Sequence, residues 1–113
     1  MADLVRKTGD TTAITGTLLD GTGATVNIAS ATIRFLMRRK GSRLVQIAAA
    51  ATNSQVGDGS DGTRGKVSFT PSAAQVATAG TFHYEWEVTF SGGAIQTYPE
   101  GRHLVALFTE QLG

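Results

Sequence analysis

Residues 80–99 read GTFHYEWEVTFSGGAIQTYP, and this segment decides the fold class of the chain. Large apolar side chains fall on every second residue from Phe82 to Phe90, and polar residues such as His83 fill the positions between. Because successive side chains of a strand point to opposite faces, the pattern predicts a strand with one aromatic and one polar face. The Ser91-Gly92-Gly93 run predicts a turn, so the segment is predicted to be a hairpin. Its aromatic face requires a second layer of protein over it.

The composition predicts one all-β domain spanning residues 1–113, with short tails at both ends. A chain of 113 residues, 41% of them apolar, is enough to close one core. The 14 glycines and the many Thr, Val and Ile residues are typical of short strands joined by turns. The absence of cysteine excludes disulfides and thiolate metal sites within this sequence.

Charge and hydropathy narrow the classes of partner. The formal net charge of +1 gives no support for a general nucleic-acid binder, and nucleic acid is not an expected partner. No apolar run approaches the length of a membrane span, and the first residues lack the layout of a secretion signal. We therefore expect no membrane partner and a chain that folds in the cytoplasm of the cell that makes it.

Turn signals divide the chain into seven or eight short strands. Residues 53–65 are polar and rich in glycine and are predicted to form a long, mobile hairpin tip. Residues 71–79 begin with proline and favour one or two helical turns. The predicted strands are residues 3–7, 12–19, 24–28, 32–39, 43–51, 66–70, the hairpin 81–98, and 103–108.

This order of elements predicts an immunoglobulin-like antiparallel β-sandwich with one short helical crossing between its two sheets. A small closed β-barrel is the alternative architecture. The chain lacks the Cys–Trp–Cys framework of antibody domains, so the likeness is one of architecture only. The predicted core consists of Ile33, Phe35, Met37, Phe69, Phe82, Tyr84, Trp86, Val88 and Phe90.

Two groups of acidic residues are weighed as metal sites. Side chains two apart on a strand are neighbours, so His83, Glu85 and Glu87 could hold a metal; a solvated or partner-facing surface is the favoured interpretation. The glycine-rich residues around Asp58 and Asp61 do not match the spacing of a calcium-binding loop. We predict no metal and no other cofactor.

A basic cluster lies at one predicted hairpin tip and consists of Arg38, Arg39, Lys40 and Arg43, with Arg34 behind them. Two interpretations stand: contact with phosphate or an acidic protein surface, and a solvated tip that discourages edge-to-edge pairing of sheets. A protein is the favoured partner for contact, because arginine is enriched at protein interfaces. Together with the polar face of the hairpin, the candidate contact residues are Arg34, Arg38, Arg39, Lys40, Arg43, His83, Glu85 and Glu87.

No catalytic constellation stands out in the sequence. It contains no nucleophile elbow, no P-loop and no dinucleotide fingerprint. Trp86 could stack on a base or a sugar, but on an alternating aromatic face a tryptophan is more often part of the core. We therefore predict no catalytic residues and no enzyme activity.

Seven segments in order carry a resemblance to a known family. They are GDT at 9–11, LLDGTGATVN at 18–27, ATIRFLMR at 31–38, GKVSF at 65–69, ATAG at 77–80, TFHYEWEV at 81–88 and GGAIQTYP at 92–99. Their order and spacing resemble the immunoglobulin-like N-terminal domain of tailed-phage baseplate upper proteins. The similarity covers most of residues 4–108.

The resemblance implies a virion structural protein that assembles with other virion proteins, in many copies, within a symmetric particle. The family's domain usually heads a longer chain, whereas this chain ends just after its last predicted strand. We therefore expect a stand-alone adaptor of the tail, baseplate, neck or capsid surface, with residues 1–7 and 53–65 as candidate arms. The alternatives are a carbohydrate- or surface-binding module, which needs an exposed Trp86 or Tyr98, and a small metal-dependent enzyme.

Overall fold

The computed structural model describes residues 2–112, which form eight strands and one short 3-10 helix. The all-β class predicted from the sequence is confirmed. The 3-10 helix, Ala74–Val76, lies within residues 71–79, where the sequence predicts the helical crossing. The strands are β1 Leu4–Lys7, β2 Ile14–Thr17, β3 Thr32–Arg39, β4 Val45–Asn53, β5 Lys66–Phe69, β6 Gly80–Thr89, β7 Ile95–Tyr98 and β8 Leu104–Thr109.

The order of hydrogen-bonded strands is β1-β8-β6-β3-β4-β5-β2. In addition, β7 pairs with the C-terminal half of β6. The described strand pairs are antiparallel, as predicted, except β1 with β8, so the sheet is mixed. These are the first and last strands of the chain, and no tight turn forces them to run in opposite directions. Asp3 fixes their register, because its backbone N–H donates to Val105 O and its Oδ2 accepts the Val105 N–H.

β4 joins two layers. Its first part pairs with β3, whereas Thr52 and Asn53 pair with β5, which continues with β2 into the second layer. The layers meet face to face: the Phe35 ring of β3 stacks on the Phe69 ring of β5 with centroids 4.6 Å apart. Within residues 2–112, β1 and β2 end the path of pairing without closing it. The fold is therefore an open sandwich, and the closed barrel does not form.

The core lies between these layers. Eight of the nine predicted core residues are buried, and they pack with Ile14, Leu18, Ile28, Ile47, Val67, Val76, Tyr98, Ala106 and Phe108. Phe90 differs, because β6 ends at Thr89 and Phe90 begins the turn into β7, where its N–H donates to Ala94 O. Phe90 is therefore only partly buried against the edge of the core.

The structure corrects one local prediction and adds detail to another. Residues 24–28 form no strand, since only an isolated bridge joins Leu19 to Thr25. Residues 53–65 connect antiparallel β4 and β5, as a hairpin tip does, and side-chain hydrogen bonds anchor the ends of this segment to the body of the domain. Asn53 Nδ2 donates to Ile28 O and Ala31 O, and Gln55 Oε1 accepts the N–H groups of Ile28 and Gly65. These side-chain amides hold the start of the segment against the backbone around Ile28.

Replacing the ring that joins the layers tests this packing. We expect Phe35→Ala to lower the free energy of unfolding by about 3–5 kcal/mol, because the lost ring leaves a cavity among Phe69, Tyr84 and Trp86. Chemical denaturation measures the change. The matched control is Ile95→Ala, at a side chain 64% exposed, which should change stability by less than about 0.5 kcal/mol. Equal effects of the two substitutions would contradict the described core.

Candidate functional site

The outward side chains of β3, β4, β6 and β8 form the outer face of the larger layer. Burial of Phe82, Tyr84, Trp86 and Val88 turns the alternate residues of β6 outward. Pairing with β3 sets Arg38 opposite His83, Leu36 opposite Glu85 and Arg34 opposite Glu87. The structure thus brings five of the candidate contact residues onto this outer face: Arg34, Arg38, His83, Glu85 and Glu87.

One end of the outer face is held by an ion pair. Arg34 Nη1 lies 3.2 Å from Glu87 Oε1, with the two side chains 46% and 23% exposed. Exposed pairs of this kind contribute less than about 1 kcal/mol to stability. The pair nevertheless gives Glu87 a cationic neighbour, which disfavours the metal site considered from the sequence. Residues 2–112 contain no group of three His, Asp, Glu or Cys side chains that could hold a metal ion.

The other end of the outer face carries two stacked imidazoles. His103 immediately precedes β8, and because His83 pairs with Val105, the two histidines are diagonal neighbours. Their ring centroids lie 4.1 Å apart with 24° between the planes. Nitrogen lone pairs lie in the plane of each ring, so two stacked rings do not point them at one ion. The geometry is that of a stacked pair rather than of a chelate.

A shallow cavity of about 140 Å³ lies between the histidines and the β3–β4 end of the outer face. The aliphatic groups of Leu36 and Val45 form part of its lining, and Val45 is 57% exposed. Charged and polar groups of Arg38, Glu85 and the two histidines form the rest of the wall. The cavity therefore combines an accessible apolar surface with several groups that can bind an ion.

The surroundings of His83 disfavour its protonated form. Partial burial is the largest cause of a pKa below the ordinary 6.5, followed by the charges of His103, Lys40 and Arg38. At neutral pH the His83 imidazole is therefore uncharged, and it lies near the positive charges of Arg38 and Lys40.

The predicted basic cluster divides into groups with different surroundings. Arg39 has the inward parity of β3, and its guanidinium lies 5.9 Å from the centre of the Phe82 ring. Its Nη2 also donates to Ala79 O, so Arg39 packs over the end of the core at Phe82. Arg38, Lys40 and Arg43 are exposed and form no ion pair with any residue in the part of the chain that the structure describes.

The aromatic residues that a carbohydrate module would need are covered. Trp86 is 1% exposed and Tyr98 is 4% exposed. Trp86 packs so closely under β2 that a Cβ at Gly16 would lie 3.1 Å from the indole Nε1. Burial also raises the pKa of Tyr84 to about 12. Neither Trp86 nor Tyr98 offers a ring face on which a sugar could stack.

The acidic loop is built from local turns. Asp58 Oδ1 accepts the Ser60 N–H, and Asp61 Oδ1 accepts the Thr63 N–H and hydroxyl. These hydrogen bonds lower the pKa values of both carboxyl groups. Each carboxylate therefore stabilises its own turn.

Sequence reasoning left one member of this site undecided and missed two others. The face of His103 could not be assigned from the sequence, and Leu36 and Val45 were not named as contact residues. Their proximity depends on the register of β3 with β6 and β4, and the β3–β4 register shifts between Met37 and Arg38. A strand pattern shows which face a residue takes, but not which residue lies opposite.

Comparison with protein-family models, curated proteins and solved structures finds no match. Over residues 2–112, no helix has the length and apolar character needed to cross a membrane.

The lowered pKa of His83 predicts a pH dependence of stability. The unfolded chain, with a His83 pKa near 6.5, binds a proton more readily than the folded protein does. The contribution of His83 to the free energy of unfolding is therefore fully present above about pH 6.5. It is lost as the pH falls through the titration of His83 in the folded protein. We expect denaturant unfolding of His83→Gln to depend less on pH than that of the unsubstituted chain over this range. Parallel stability curves for the two proteins would contradict the prediction.

Proposed function

We propose that this chain is a non-catalytic structural or adaptor protein of a tailed-phage virion, binding other virion proteins in many copies. The phage assignment rests on the resemblance to baseplate upper proteins, and the proposed place of the chain is the tail, baseplate, neck or capsid surface. The immunoglobulin-like topology belongs to the same proposal. One observation carries the binding role: the large aromatic residues are used in the core, which leaves strand edges and the outer face for docking.

The outer edge of β4 supports docking by strand addition. Val45 to Ala51 pair with β3 on one side, whereas on the other side β5 pairs only with Thr52 and Asn53. No charged residue occurs between positions 44 and 56. Monomeric proteins commonly protect their edge strands with charge, and this edge lacks that protection. An extended segment of a neighbouring protein can pair with such an edge through backbone hydrogen bonds.

The two predicted arms are less suitable for this role. Residues 4–7 are β1, which pairs with β8 of the same chain; Met1 lies outside the described residues. Residues 53–65 are held by the side chains of Asn53 and Gln55. The proposal therefore assigns docking to the β4 edge and the outer face. The carbohydrate-binding alternative is disfavoured, because its best residues are buried.

Analysis of purified particles tests the virion role. Mass spectrometry of virions from the phage that encodes this chain should detect it in multiple copies, and cross-linking should join it to other virion proteins. A non-structural protein of the same phage serves as the control for contamination. Absence of the chain from the particles would overturn the proposal.

Matched variants test the edge separately. We expect Ala48→Lys, which adds charge to an exposed position on β4, to reduce incorporation into particles. Ser91→Lys, at an exposed turn away from that edge, should leave incorporation unchanged. Equal incorporation of both variants would exclude the β4 edge as the docking element.

A further inference from the structure

We propose that the histidine end of the outer face binds acidic side chains of a partner protein, and binds them more tightly in mildly acidic solution. This inference rests on the proposed function and specifies the chemistry of the partner. The site, called here the histidine patch, consists of Leu36, Arg38, Lys40, Val45, His83 and His103.

The cavity of the histidine patch has a shape and lining suited to an apolar side chain flanked by carboxylates. Leu36 and Val45 provide aliphatic contact, and Arg38 stands opposite His83 across the β3–β6 pairing. The stacked ring of His103 extends the polar wall beyond β6. A partner leucine could fill the apolar part while neighbouring glutamates reach the cationic groups around it.

The charges that face the imidazoles are mostly positive. β3 contributes Arg38, the β3–β4 turn contributes Lys40, and each histidine faces the other. On β6 itself, Glu85 lines the cavity, but it forms no ion pair within the described residues 2–112. On β1, Asp3 is already engaged, because its carboxylate accepts the Val105 N–H. Charge complementarity therefore favours an acidic partner.

Binding of such a partner couples to proton uptake. In the unbound protein, burial and the neighbouring charges of His103, Lys40 and Arg38 hold the pKa of His83 below its ordinary value and so disfavour its protonated form. A partner carboxylate supplies the missing negative charge and stabilises the imidazolium form. Affinity should therefore increase as the pH falls below about 6.5, while glutamates with a pKa near 4.3 stay ionised.

A protein fits this surface better than a nucleic acid does. The aliphatic part of the cavity offers no favourable contact to a phosphate, whereas it can bury an apolar side chain of a protein. The net charge of +1 also provides no general attraction for a polyanion. We therefore assign the histidine patch to an acidic protein segment and treat nucleic acid as an outcome of the test.

Titration of the isotopically labelled full chain with a short peptide tests the inference. The probe is a blocked pentapeptide with one central leucine and four glutamates, followed by amide chemical shifts near pH 7.5 and near pH 5.5. We expect shifts at Leu36, Arg38, Val45, His83 and His103, with a dissociation constant about fivefold lower at the acidic pH, the size of a modest linkage effect. A peptide with glutamines in place of the glutamates should bind weakly at both pH values.

Variants on the same face distinguish specific binding at the histidine patch from a general attraction of the peptide to positive charge. His83→Gln should abolish most of the pH dependence, because the pKa of His83 is the one that its surroundings lower, and Arg38→Gln should weaken binding at both pH values. Arg34→Gln is the matched control, since it removes one positive charge from β3 at the opposite end of the outer face and should leave peptide binding unchanged. The amide spectrum of each variant shows whether it keeps the fold.

Several results would overturn the inference. They are shifts confined to other surfaces, equal affinity at the two pH values, an unchanged pH dependence in His83→Gln, or tighter binding of an oligothymidylate than of the acidic peptide. If the peptide does not bind but the chain is present in purified virions, the histidine patch proposal is wrong and the proposed virion role is retained. Peptide binding by a chain absent from virions would instead support the histidine patch and remove the virion role.

Discussion

The contact between Phe35 and Phe69 joins the two layers, and the rest of the structure depends on it. Phe35 stacks on Phe69 across the sandwich and touches the rings of Tyr84 and Trp86 on the neighbouring strand. The aromatic face of β6 is too apolar to remain in water, and the second layer supplies its cover. The bend of β4 from one layer into the other makes that cover possible.

This packing determines where the protein can act. With the aromatic rings in the core, the surface keeps backbone edges, charged side chains and one small cavity on the outer face. These are the features on which the proposed docking role depends. The alternation of β6 produces both results at once, because the strand that buries Trp86 also presents His83 and Glu85.

Local patterns predicted the elements of the fold well. The period-two pattern placed β3 at Thr32–Arg39 as observed, and it identified both faces of β6. The prediction was wrong where distant pairing decides the outcome. Asp3 and Val105 lie 102 residues apart, and nothing local shows that their strands run parallel.

The candidate site was harder to predict than the fold for the same reason. Sequence placed His83 on the polar face, but the stacking of His103 on it depends on the register between β6 and β8. Arg39 belonged to a basic cluster in the sequence, yet strand parity turns it toward Phe82. Charge clusters in a sequence show composition, whereas pairing decides which members share a surface.

The fluorescence of Trp86 tests the central claim most directly, because it is the only tryptophan of the chain. If the aromatic row lies between two layers, the native protein should show blue-shifted emission and weak quenching by acrylamide. Denaturant should then shift the emission to the red and make quenching efficient. Native emission and quenching equal to those of the unfolded chain would contradict the sandwich and the docking role built on it.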